Sequence, residues 1–280
     1  MVERKKAEVD SLLRKHQAAD DPLFMRMSYL ASENRFNITN SIRQYSKHES
    51  EGNKMSIVID IKRRSPTIHE KRNIVDYSSA AKFSELLTKA GADAFLINTD
   101  DIEYGGKFED LYETSTAVKS ASLRLIPPAV IQKDLIIHPV QIAQALQQGA
   151  SGILLIAAVV GGDLETLLDA CTIMGTEAIV EVHTPNELDF ALSKGATIFL
   201  VNMWDRLTGK HFPEQAKGLA TMMPMNAVAL AAGDIGSVEQ VAELSYYGYD
   251  GIVLGRRIAE MEDIKGFIDA IHAIQGPATL

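Results

Sequence analysis

From Ser56 onward the sequence alternates between short β-branched runs and longer stretches of helical period, and this alternation restricts the fold more than any other feature. The strand-like runs are Ser56–Lys62, Ala92–Asn98, Ala129–Lys133, Gly152–Ala157, Glu177–Val182, Thr197–Asn202, Ala227–Ala231 and Gly251–Leu254. Between them lie helical patterns such as Tyr77–Ala90, Phe108–Ser120, Pro139–Gln148, Leu164–Met174, Asn186–Lys194 and Val238–Tyr247. Gly91, Gly149, Gly175, Gly195 and Gly248 close several of these helices, as expected of the residue that accepts a left-handed helix end. Alternating strands and helices predict a parallel sheet. Eight such units in 280 residues fit a single closed α/β barrel, a (β/α)8 TIM barrel, better than an open doubly wound sheet. The open sheet usually carries a Gly-rich loop after its first strand. Here that strand runs into Arg63-Arg64-Ser65-Pro66, and no G-x-G-x-x-G occurs.

Residues 1–54 read as an N-terminal helical extension and polar connection, and residues 55–280 as the barrel. Val9, Leu12 and Leu13 give the first helix its apolar spacing. Asp20-Asp21-Pro22 breaks it, and a short helix is expected over Phe36–Ile42. Ser46–Lys54 is wholly polar and reads as a surface connection. A single cysteine, Cys171, excludes an intrachain disulfide and a Cys-rich zinc site, and makes a reducing compartment the default. The net charge of −9 argues against a general nucleic-acid surface. The longest apolar stretch, Gly152–Val160, is about half the length of a membrane helix. Met1–Lys6 is charged, unlike a signal peptide.

Barrel active sites gather at the C-terminal ends of the strands, so the polar residues that end strands matter most. In strand one the odd positions are Ile, suited to the outer helices, while Asp60 and Lys62 point inward. Strand three ends in Lys133-Asp134, Glu181 shares a face with Ile179 in strand five, and Asn202 ends strand six. Two lysines and two carboxylates converging in a barrel need a reason. They form either an internal ion-pair cluster that fixes packing or a set of general acids and bases that tune one another.

The stretches Ile59-Asp60-Ile61-Lys62-Arg63-Arg64-Ser65-Pro66, Gly105-Gly106-Lys107-Phe108-Glu109-Asp110-Leu111 and Lys133 through Ile142, with Ile153–Ala158 and Val180-Glu181-Val182-His183, resemble indole-3-glycerol-phosphate synthase. The resemblance runs from about Val2 to the final helix, and the family carries extra helices ahead of its barrel. It implies a lyase of tryptophan biosynthesis. Such an enzyme closes an indole ring from an anthranilate-derived ribulose phosphate, with loss of CO2 and then water, and without a metal or organic cofactor. Carried over, Lys62 and Lys133 would be general acids, and Glu181 would be the general base or would stabilise the developing positive charge. Asn202 would hold sugar hydroxyls or orient Glu181. Ser65 would lie near the phosphate or carboxylate.

Departures from the family pattern cluster by role. The family's strand-one glutamate is Asp60. Its strand-six arginine, which meets the substrate's anthranilate carboxylate, is Trp204, with Arg206 the nearest alternative guanidinium. The Glu-Ser-Gly that ends strand seven becomes Ala232-Gly233-Asp234 in the gap-free register, or Ala231-Ala232-Gly233 with a one-residue shift. After strand eight stands Gly255-Arg256-Arg257. In many such barrels the backbone after strands seven and eight holds phosphate, which makes Gly233, Gly255 and Arg256 candidate phosphate-binding residues. Alternatively Asp234 and Arg256 pair and fill that site. Trp204 is expected to pack over the mouth, His183 to be a hydrogen-bonded structural residue, and Tyr246, Tyr247 and Tyr249 to pack on neighbouring helices. Arg63-Arg64 and Arg256-Arg257 fall on one rim, fit for an anionic phosphorylated small molecule. The alternative is a catalytically silent paralogue that serves a protein partner as a binding or assembly module. The resemblance places an active enzyme in a bacterial cytoplasm, or in a plastid stroma after removal of a transit peptide.

Overall fold

A computed structural model describes residues 1–18, 20–28, 37–43, 54–64, 79–204 and 209–275. Its strands are β1 (Ser56–Ile61), β2 (Ala94–Asn98), β3 (Ala129–Lys133), β4 (Gly152–Ile156), β5 (Glu177–Val182), β6 (Ile198–Asn202), β7 (Val228–Ala232) and β8 (Gly251–Leu254). They pair in parallel in chain order, and β8 returns to β1 to close a TIM barrel. The extension contributes α1 (Val2–Lys15), α2 (Pro22–Ser28) and α3 (Asn37–Ile42). Around the barrel follow α4 (Ala80–Ala90), α5 (Glu109–Ala121), α6 (Pro139–Gln147), α7 (Ala157–Val160), α8 (Leu164–Ile173), α9 (Pro185–Ser193), α10 (Glu214–Ala220), α11 (Val238–Tyr246) and α12 (Ile264–His272).

Local chemistry fixes the helix ends. Ser79, Thr184 and Ser237 accept amide hydrogen bonds at the starts of α4, α9 and α11. His138 does the same for α6, where Gln141 reaches back to close a capping box. The five helix-ending glycines all have positive φ, from 70° to 117°. Asp21 does end α1's reach, but it also receives the amide of Leu23 and starts α2. The short α7 and α10 were not among the helical patterns read from the sequence, since neither presents a full amphipathic repeat.

The two faces of each strand feed two apolar cores. Ile57, Ile59, Ile61, Phe95 and Ile97 join the outer core against the helices. Val58, Leu96, Ile131, Ile179, Leu200, Leu230 and Val253 fill the barrel. The parity read from β1 and β5 therefore holds. The extension works at both ends of the barrel. Below, α3 plugs the floor: Ile38 and Ile42 belong to the inner core. Its amides at Ile38 and Thr39 donate to Glu177 at 2.7 and 3.1 Å, and Arg43 pairs with Asp250 at 2.8 Å. Above, Lys5 of α1 reaches the loops after β2 and β3. Its ammonium lies 2.8 Å from Asp134 and 3.5 Å from Asp100. Of the polar connection Ser46–Lys54, only Lys54 is among the described residues. No helix among them is long and apolar enough to cross a membrane.

Candidate active site at the barrel mouth

The inward positions nearest the C-terminal ends of the strands are Asp60, Asn98, Lys133, Glu181, Asn202 and Ala232. Strand pairing sets them level with one another: Asn98 registers with Lys133, and Asn202 with Ala232. The structure thus brings Asp60, Lys62, Lys133, Glu181 and Asn202 to one end of one cavity wall. Ser65 lies outside the described residues, as does Arg206.

Asp60 organises one side. Its Oδ2 lies 2.6 Å from Lys62 Nζ and 3.0 Å from Lys133 Nζ. Its Oδ1 accepts from Asn98 Nδ2 at 2.7 Å, and the same amide donates to the Ile61 carbonyl at 2.9 Å. The carboxylate is buried, which by itself disfavours its charge, but the two ammonium groups outweigh burial and hold its pKa well below the usual range. Both lysines are thereby fixed in place by a single buried carboxylate.

Glu181 stands across the ring, since β5 lies opposite β1 in an eight-membered closed order. It is fully buried. Asn202 Nδ2 donates to its Oε1 at 3.0 Å, and the Trp204 amide donates to Asn202 Oδ1 at 3.1 Å. His183 Nε2 is 3.2 Å from the same Oε1, too poorly aligned for a proper hydrogen bond. Its Nδ1 lies 3.2 Å from Glu187, which also receives the His183 backbone amide. Burial would lower the His183 pKa, but Glu181 and Glu187 outweigh it and raise the value to about 9. His183 is therefore a charged brace between two carboxylates, in line with its expected structural role. Asn202 orients Glu181, one of its two expected roles.

Strands six to eight depart from expectation in detail. Ala232 is the last inward side chain of β7, a methyl level with Asn202. Gly233 has φ 124°, and a Cβ there would meet Met203 Cβ at 2.9 Å. Asp234 follows with φ 53°. Asp234 does not pair with Arg256. It pairs with Arg257, at 2.9 Å from Nε to Oδ1, on the exposed rim. The two arginines are consecutive residues of a short 3-10 helix, Arg256–Glu260, and their side chains leave it toward different partners. Arg256 instead lies over the Trp204 ring, with Cζ 5.2 Å from its centroid. His211 stacks on Trp204 from the same loop, at 4.9 Å between rings, and its Nε2 is 3.2 Å from the Gly233 carbonyl. Gly255 backs the lysine site: a Cβ there would lie 3.6 Å from both Asp60 Oδ2 and Lys62 Nζ.

The other rim arginine is also committed. Arg63 makes a two-point contact with Asp110, at 2.5 and 2.9 Å. Of the three tyrosines, Tyr249 is buried and donates to the Ala216 carbonyl, whereas Tyr246 is 88% exposed and does not pack as expected.

Sequence reading passed over Asn98, although the same strand parity that singles out Asp60 would have found it. It also passed over His211, and over Lys5, which carries no signal in the sequence because its partner Asp134 is far away along the chain. Asp134 was visible only as the neighbour of Lys133; in the fold it accepts from Thr99 Oγ1 and the Leu135 amide, each at 2.7 Å, and from Lys5 at 3.0 Å.

Comparison with known proteins agrees with this geometry. The sequence model of the family "Indole-3-glycerol phosphate synthase" matches residues 1–271. An indole-3-glycerol phosphate synthase of Opitutus terrae is 31% identical over 220 residues, covering 78% of this chain and 80% of the relative. One from a Parafrankia strain is 31% identical over 228 residues, covering 81% of each. Among solved structures, 3-hexulose-6-phosphate synthase from Salmonella typhimurium superposes with a TM-score of 0.60 at 14% identity, covering 79% of this chain and 98% of that one, a likeness of fold. A family model that matches residues 1–271, and relatives 31% identical over about four fifths of the chain, show that the chain belongs to the indole-3-glycerol phosphate synthase family.

Proposed function

We propose that the chain is an indole-forming lyase. It binds an anthranilate-derived ribulose phosphate at the barrel mouth, joins the ring to the sugar's carbonyl carbon, and releases CO2 and then water. The observation that carries this reading is the convergence of Lys62 and Lys133, from strands that are not neighbours, on Asp60. Ammonium groups held this way supply the two protonations the reaction needs, one at the carbonyl oxygen as the new bond forms and one at the hydroxyl that leaves as water. Glu181, oriented by Asn202, takes the proton lost as the ring becomes aromatic. The backbone at Gly233 and Gly255 is the phosphate end of the site, with Ser65, in the Ser-Pro turn after β1, a further contact to the phosphate or carboxylate.

A second reading has its own support. Ala232 offers no carboxylate, and the Asp234–Arg257 pair places an anion in the loop that would face a phosphate. A silent barrel that binds a protein partner would tolerate both. Purified protein given the ribulose phosphate substrate, with indole product followed by fluorescence and binding by calorimetry, separates the two. Turnover that disappears in Lys133→Ala sustains the lyase. Substrate bound but never converted, or not bound at all, favours the silent barrel.

A further inference from the structure

Trp204, Ala232 and Arg256 look like three separate losses when read along the chain. In the fold they are one arrangement. Arg256 belongs to the loop after β8 and Trp204 to the end of β6, so for Cζ to lie 5.2 Å from the indole centroid the arginine must reach across β7. The last inward side chain of β7 is a methyl, which leaves that path open. Asp234, the other nearby carboxylate, is taken by Arg257. Among the described residues Arg256 has no carboxylate partner.

A guanidinium held over an aromatic ring by cation–π attraction keeps N–H donors for a second partner. Those donors form a planar fork suited to two parallel bonds to a carboxylate. The platform beneath it is braced: His211 stacks on Trp204, pairs with it across an antiparallel bridge, and reaches the Gly233 carbonyl. The preceding residue, Gly255, lies against the Asp60–Lys62 pair, so the Arg256 side chain starts from backbone beside the acid groups.

We propose that Arg256, carried on the Trp204 platform through the gap left by Ala232, is the residue that binds the carboxylate of the substrate's aromatic end. The inference rests on the lyase reading for the source of that carboxylate, and it gives Arg256 a carboxylate in place of the phosphate that chain position alone suggested.

Calorimetric titration of the full chain with anthranilate, and separately with inorganic phosphate, tests it without turnover. Arg256→Gln should weaken anthranilate binding by about tenfold or more, as for loss of a charge-assisted fork, and change phosphate binding by less than about twofold. Trp204→Arg in the Arg256→Gln background should recover anthranilate binding. Ala232→Glu alone should abolish it, because the new carboxylate takes the guanidinium. Thermal melts of each variant confirm folding. Unchanged anthranilate affinity in Arg256→Gln, loss of phosphate in place of anthranilate, or no anthranilate uptake by the wild type at millimolar concentration each overturns the proposal. Anthranilate bound through Arg256 without any turnover would leave this subsite standing and remove the lyase reading; turnover with Arg256→Gln still binding anthranilate would do the reverse.

Discussion

Replacing Lys5 by methionine should unlatch the first helix from the loops around Lys133. Lys5 is a nearly buried lysine whose ammonium lies 2.8 Å from Asp134, 3.0 Å from Glu8 and 3.5 Å from Asp100. Burial alone would lower its pKa, but these carboxylates raise it, so the group is charged in the folded state. Removing one partner of a buried ion pair typically costs about 3–5 kcal/mol, because the other charge stays behind without compensation. Here the remaining carboxylates keep part of their support. Asp134 retains Thr99 Oγ1 and the Leu135 amide, and Asp100 retains Arg4 and the amides of Ile102 and Glu103. A loss of about 2–3 kcal/mol is therefore expected, which for a chain of this size lowers the midpoint of thermal unfolding by roughly 3–5 °C. Circular dichroism melts at neutral pH measure it. Asp134→Asn supplies the control: in that background Lys5→Met should cost less than about 1 kcal/mol, because the two groups act as a pair. A midpoint shift below about 2 °C for Lys5→Met, or the same shift with and without Asp134, would refute the latch.

Three further outcomes follow from the site and the floor. Asp60→Asn should lower turnover by about a hundredfold or more, because the carboxylate that holds both ammonium groups in place loses its charge; it should also flatten acid denaturation, since the stability Asp60 contributes is full above the ordinary carboxylate pKa and falls as pH drops toward its depressed folded value. The raised pKa of His183 means its contribution is full below 6.5 and is lost as pH rises through about 9; denaturant titrations across that window should show a decline of at most about 3 kcal/mol that His183→Gln abolishes. Gly152 makes room for the floor plug, as a Cβ there would stand 2.2 Å from Ile38 Cδ1. Ile38→Ala should cost about 2–4 kcal/mol in urea unfolding, and adding Gly152→Ala to it should cost less than Gly152→Ala does alone, because the shortened side chain leaves space for the new methyl.

Much of this molecule is legible in the chain. The period of the apolar residues sets strand against helix, and strand parity assigns each side chain to the inner or outer core. Parity is a covalent property of an extended backbone, which is why the sequence alone puts Asp60 inward and Glu181 on the face of Ile179. The helix ends are equally local, since Ser79, Thr184, Ser237 and the five terminal glycines act within a few residues of themselves.

Contacts between distant segments are a different matter. That Arg257 and not Arg256 faces Asp234 depends on the direction of a single turn after β8. That Arg256 reaches Trp204 depends on what β7 leaves vacant between them. Lys5 meets Asp134 only because the first helix lies over the mouth, 129 positions away along the chain. The sequence by itself determined the barrel, the inward set and the lysines of the candidate site, because those follow from periodicity and local stereochemistry. Only the tertiary structure decided which charges pair, because a charge responds to whatever lies within a few ångströms of it, and the closure of the ring sets that neighbourhood.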